Sequence, residues 1–148
     1  MLHLIKSASD SFFSLVQEDP VRPTIPYTER VGDNKDIFVL VDELDKAKAI
    51  TCVSYQATIP TNESELFHVD ATPDTAIFYT IWSYAPGAGR NLIFEAVDYI
   101  KTTYPSIGRF VTLSPKTEMA KRFHIKNGAI TFRENQETVN YEYLEDRE

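Results

Sequence analysis

Apolar residues along this chain shift between continuous or alternating runs and helical spacing, and the shifts mark out its elements. Asp36 to Val41 (DIFVLV) and Ala47 to Ala57 are rich in β-branched and aromatic residues and flank the polar turn Asp42 to Lys46 (DELDK), which predicts an antiparallel hairpin. Ala76 to Tyr84 (AIFYTIWSY) is almost wholly apolar or aromatic, as expected of a central strand covered on both faces. It runs straight into Ala85 to Arg90 (APGAGR), a turn with two glycines. From Asn91 to Tyr104 the spacing is helical: Ile93, Val97, Ile100 and Tyr104 fall on one face with Leu92 and Ala96 beside them, while Glu95, Asp98 and Thr102 fall opposite. Pro105 and Gly108 end that helix, and Arg109 to Leu113 (RFVTL) predicts another strand.

Ser114 stands where an N-cap is expected, with Pro115 at the first helical position and Gly128 as the stop. The predicted helix turns Met119, Ala120 and Phe123 inward. Ile130 to Tyr143 reads as a closing hairpin around Glu134 to Glu137, followed by a solvated tail, Leu144 to Glu148. At the other end, Ser9 or Asp10 can cap a helix that puts Phe12, Phe13 and Val16 on one face until Pro20 stops it. The spaced prolines of PVRPTIP, Pro20 to Pro26, predict an ordered connector, and Thr58 to Thr75 predicts a loop with a turn of helix at Glu63 to Phe67. Helix, hairpin, long strand, glycine turn, helix, strand, helix and closing strands make an α/β organisation with mixed pairing, expected as one domain over residues 1–148.

Composition narrows the class. Hydrophobic residues at 43% and charged residues at 25% are globular values. A net charge of −7 argues against a nucleic-acid partner, which needs clustered Lys and Arg. Cys52 is the single cysteine, so no intrachain disulfide forms, and its apolar surroundings predict a buried structural thiol. His3 and His68 lack ligand-spaced partners, and no metal is expected. No run approaches a membrane span, and the N-terminal apolar run is too short for a signal peptide; the expected location is cytoplasmic.

The candidate chemistry lies between Tyr84 and Ala129. A strand, a glycine turn and a helix in that order gather unpaired backbone N–H groups at the positive end of a helix dipole, which suits a phosphate. A lone G-x-G also opens dinucleotide-binding turns, but the strand and helix such a domain needs do not open this chain. The segment Y-A-P-G-A-G-R-N-L resembles the acyl-CoA motif of the GNAT superfamily of N-acyltransferases, with Gly87, Gly89, Arg90 and Leu92 matching and Tyr84 where Gln or Arg is usual. The later stretch TEMAKRFHIKNGA resembles the family's closing pattern through Ala120, Phe123 and Gly128, with His124 in place of the tyrosine.

The resemblance implies an α/β (α+β) fold with a mixed, mainly antiparallel central sheet flanked by helices and with splayed central strands. It implies acyl-CoA, acetyl-CoA foremost, as cosubstrate. The N–H groups of Gly87, Ala88, Gly89 and Arg90, with Asn91 following, would hold the pyrophosphate, and backbone groups of Ile81, Trp82 and Ser83 would pair with the pantetheine arm. His124 becomes the candidate general acid and Ser114 a donor to the thioester or thiolate, beside its reading as a helix cap. Tyr79, Asp74 and Glu65 are candidate bases without a spacing signature. The basic residues Lys116, Lys121, Arg122 and Lys126 could meet the 3′-phosphate or simply face water. The expected acceptor is a small or peptide amine, with a homodimer left open; a catalytically silent domain that binds CoA or a protein is the alternative.

Overall fold

In the computed structural model, which describes residues 1–68 and 70–144, one mixed sheet runs through the molecule. Its first strand, β1 (Leu2–Ile5), pairs antiparallel with β2 (Lys35–Val41). No pattern betrays it, because four residues are too few to show alternation. β2 and β3 (Ala47–Gln56) form the predicted hairpin, its turn held by Asp42 Oδ1, which accepts from the N–H groups of Leu44 and Lys46 at 2.8 and 3.0 Å. β4 (Thr75–Ser83) pairs antiparallel with β3 and parallel with β5 (Arg109–Thr112).

The parallel step needs a crossover, supplied by helix α1 (Ala88–Thr103), which starts three residues before its apolar periodicity does. Leu92, Ile93, Ala96, Val97 and Ile100 of α1 are buried with Phe38, Ala76, Phe78 and Phe110 in a core on one face of the sheet. Each fully buried branched side chain contributes about 1.5–3 kcal/mol before ordering costs.

The last elements correct one expectation. Ser114 and Pro115 are not the start of a helix; they form the short strand β6 (Ser114–Pro115). Helix α2 (Glu118–Lys126) begins later, with Thr117 as N-cap, its hydroxyl accepting from Ala120 N at 3.2 Å. The edge of β8 (Thr138–Tyr143) provides backbone partners for Ser114 and Pro115, so extended pairing replaces capping. β7 (Ile130–Glu134) and β8 make the predicted closing hairpin, and β8 also pairs with β5. Met119 is exposed at 79%, so only Ala120 and Phe123 of the expected inner face turn inward. The tail expected beyond Leu144 lies outside the described residues.

The opposite face of the sheet carries a second core, including Ile37, Ile50, Cys52, Ile77, Tyr79 and Val111. Irregular chain covers it. The helix expected after Asp10 is a 3-10 helix, Phe13–Glu18, and another, Tyr27–Arg30, follows the proline connector. That cover is pinned by a buried ion pair: Arg30 Nη1 meets Asp19 Oδ2 at 2.7 Å with both side chains fully buried. Arg30 Nη2 also donates to the carbonyls of Arg22 and Ile25 at 2.7 and 3.1 Å.

Candidate functional site: the cleft where β4 and β5 part

β4 and β5 pair from Thr75 with Arg109 as far as Phe78 with Thr112, and Leu113 N still donates to Phe78 O at 3.0 Å. Beyond that point β4 continues to Ser83, while the other chain leaves to pair with β8. Two local causes separate them. Tyr79 is an extra residue in β4, since Phe78 pairs with Val53 and Thr80 with Cys52, and a bulge bends its strand. Arg22 then fills the gap left by the ladder: its Nε donates to Tyr79 O at 3.2 Å and its Nη2 to Leu113 O at 2.8 Å. One guanidinium thus satisfies a carbonyl on each diverging strand, groups that would otherwise be costly to bury. Asp19 orients this arginine by accepting from its backbone N–H at 2.9 Å, and Thr80 Oγ1 donates to the same Asp19 oxygen at 2.8 Å.

The parted strands line a cavity of about 370 Å³. Phe78, Trp82, Leu113 and Phe123 make it predominantly apolar, and no charged side chain lines it among the described residues. The N-terminus of α1 meets the same cleft at Gly89. Gly87, the N-cap, has φ 78°, a conformation costly for other residues. Gly89 has a different purpose: a Cβ there would lie 3.1 Å from Cζ of Phe123, so the glycine lets α2 close against α1.

Of the expected cofactor residues, Ile81, Trp82, Ser83 and Gly89 border the cleft, and Gly87 and Arg90 lie at the exposed start of α1. Ala88 differs, because its N–H is already used within the turn, donating to Ala85 O at 3.2 Å; Asn91 N–H likewise donates to Gly87 O. The Arg90 guanidinium stacks on Phe94, 4.9 Å from the ring centroid. The Tyr84 hydroxyl donates to Glu18 Oε1 and accepts from Trp82 Nε1 at 3.0 Å.

Both expected catalytic residues, Ser114 and His124, line the cleft. Ser114 Oγ shares a hydrogen bond of 2.8 Å with Thr112 Oγ1. His124 is 3% exposed, stacks on Tyr141 with ring centroids 5.1 Å apart, and has Nδ1 2.7 Å from Tyr143 Oη. Burial pushes its pKa down to about 4, so the ring is neutral at neutral pH. Such a ring has no imidazolium proton to give as a general acid near neutral pH.

The candidate bases do not converge here. Tyr79 borders the cleft, but its hydroxyl is buried in the second core, where desolvation raises its pKa well above the ordinary value. Asp74 precedes the far end of β4, where its carbonyl accepts from Gly108 and Arg109, and Glu65 is bound to Thr61 N at 2.7 Å. Asp19, Arg22, Thr80 and Tyr143 shape the site without having stood out in the sequence. The available signal was charge at Asp19, Arg22 and Arg30 around a proline connector, because charge buried by a compact fold must be paired.

No family profile matches the sequence, and no curated protein matches it. Solved structures do match. A malonyl-CoA decarboxylase from Rhodopseudomonas palustris is similar over 99% of this chain and 60% of its own, at 16% identity and a TM-score of 0.77. A Bacillus subtilis acetyltransferase solved with CoA matches over 97% of each chain at 10% identity and a TM-score of 0.66. The GNAT domain of S. lividans PAT matches over 96% of this chain and 88% of its own, at 13% identity and 0.64. The chain has the GNAT fold. Against the malonyl-CoA decarboxylases it matches, this GNAT-fold chain spans between 35% and 60% of their length. At such identities the likeness concerns the fold.

Proposed function

We propose that the chain binds an acyl-CoA, acetyl-CoA foremost, in the cleft between β4 and β5 and transfers the acyl group directly to an amine. The observation that carries this reading is the junction of an apolar cleft with the N-terminus of α1. There the N–H groups of Gly87, Gly89 and Arg90 donate to no backbone acceptor among the described residues, and the helix dipole adds positive potential for a pyrophosphate. From Tyr79 onward β4 has a strand partner on its β3 side alone, so the pantetheine arm can pair along Ile81 to Ser83 as an added strand. An apolar cleft lining also strengthens polar contacts to the thioester. A small or peptide amine is the acceptor, and the whole chain works as one cytoplasmic domain.

The amine lone pair attacks the carbonyl carbon, and the C–S bond breaks with its electron pair leaving on sulfur. One proton lost by nitrogen is balanced by one gained by sulfur. With no charged side chain lining the cleft among the described residues, water carries the first of these transfers.

Isothermal calorimetry with CoA, acetyl-CoA and malonyl-CoA tests the reading; a folded sample with no saturable binding to any of them overturns it. The lack of a charged group in the cleft among the described residues favours a second reading, CoA binding without transfer, which predicts binding but no acylation across a panel of amines. Release of CO2 from malonyl-CoA would instead align the chain with the decarboxylases named above.

A further inference from the structure

The pair formed by His124 and Tyr143 assigns the histidine a task different from proton storage. We propose that Tyr143 is a positioning residue that fixes His124 in the Nε2–H tautomer, so that the neutral ring offers a hydrogen bond to the departing sulfur. This rests on the acyl-CoA reading for its ligand, though not for the tautomer.

The argument is one of hydrogen placement. His124 Nδ1 and Tyr143 Oη are 2.7 Å apart, and among the described residues the phenol has no other hydrogen-bond partner. Were Nδ1 to carry the proton, the phenolic hydrogen would be left without an acceptor at a residue only 2% exposed. An unmet buried donor is disfavoured, whereas a phenol donating to Nδ1 leaves none. The ring's single proton is then on Nε2, on the opposite side of the imidazole, and His124 is among the residues that line the cleft. Two further contacts hold the ring plane: Tyr141 stacks on it at 26° between planes, and Phe123 meets its edge with centroids 5.0 Å apart. A partner on one imidazole nitrogen setting what the other presents is a general device.

A neutral imidazole is a weak acid, and full transfer of its proton would need Tyr143 to supply another, although burial raises the Tyr143 pKa. His124 therefore keeps its hydrogen while stabilising the charge that develops on sulfur. The proton that ends on sulfur is the one released by the acceptor nitrogen. Atoms and charge balance without an imidazolium at any stage.

Long-range 1H–15N spectra of the imidazole rings test the tautomer in the unliganded protein. His124 should show a protonated Nε2 and a bare Nδ1 at neutral pH, and Tyr143→Phe should shift population to the Nδ1–H form. An Nδ1–H tautomer in the unmodified protein overturns the proposal. The second measurement is the fraction of bound CoA present as thiolate, read by ultraviolet absorbance near pH 8, within the ordinary thiol range. Cys52 does not interfere, because burial pushes its thiol up to about 11. Tyr143→Phe should lower the thiolate-to-thiol ratio about tenfold, the scale of one hydrogen bond to a charged group, with CoA affinity little changed. An unchanged ratio at retained affinity overturns the role toward sulfur, while failure of every form to bind CoA overturns the acyl-CoA reading and leaves the tautomer result standing.

Discussion

The two faces of the sheet are covered in opposite ways. On one, α1 lays five side chains from a regular amphipathic stripe over Phe38, Ala76, Phe78 and Phe110. Stabilisation there is spread over many apolar contacts, no one of which organises the rest. On the other, residues between Phe13 and Arg30 follow no regular period, and their course depends on Asp19 and Arg30, two charges with no exposure. Loss of one apolar contact thins the first cover; loss of one charge disorganises the second. The same connector carries Arg22 to the point where β4 and β5 separate, so the irregular face is also the one that holds the cleft open.

Replacing Arg30 by Met should produce the largest effect, about 3–5 kcal/mol of lost stability in denaturant unfolding, because a buried Asp19 carboxylate loses its counter-charge and two carbonyls lose a donor. A loss below that of an α1 core truncation would break the contrast between the faces. Ile100→Ala supplies that reference, expected at about 2–4 kcal/mol from lost burial and cavity formation, with the cleft unaltered.

Next comes pH. His124 has a folded pKa of about 4 against 6.5 for the ordinary group, so between those values the unfolded chain binds more protons. This contribution to stability is fully present above about pH 6.5 and is lost as pH falls through that window, by about 3 kcal/mol at its lower end. Comparing unfolding of the native chain with His124→Phe at several pH values isolates it; identical slopes would show that the ring takes up its proton at the same pH folded and unfolded.

Arg22→Met should cost about 1–3 kcal/mol by orphaning Tyr79 O and Leu113 O, and should weaken CoA binding in calorimetry as the strands drift. Unchanged affinity would remove Arg22 from the shaping of the cleft. Thr117→Ala, which removes the observed cap of α2, is the smallest, at about 1 kcal/mol, and Ser114→Ala should show no helix-cap loss.

Where a segment has one dominant period, its fate was legible. The hairpin of β2 and β3, the doubly covered β4, and α1 after its glycine turn each follow from alternation, continuity or helical spacing, which report local burial. Ser114 and Pro115 were misread because N-cap chemistry is local, and the free edge of β8 that recruits them is about twenty-five residues away in sequence. β1 escaped for the same reason, since only its pairing with β2 makes it a strand.

The glycine turn and the position of His124 were visible as residue types at family-like spacing. Their chemistry was not, because it depends on contacts between distant segments. Tyr143 is the hydrogen-bond partner of His124, Phe123 explains Gly89, and Asp19 holds the backbone of Arg22. The sequence by itself determined which segments can be strand or helix, since backbone period and side-chain polarity are local properties. Tertiary structure alone decided which carbonyls Arg22 bridges and which proton His124 keeps, since burial raises the cost of an unmet polar group until one arrangement remains.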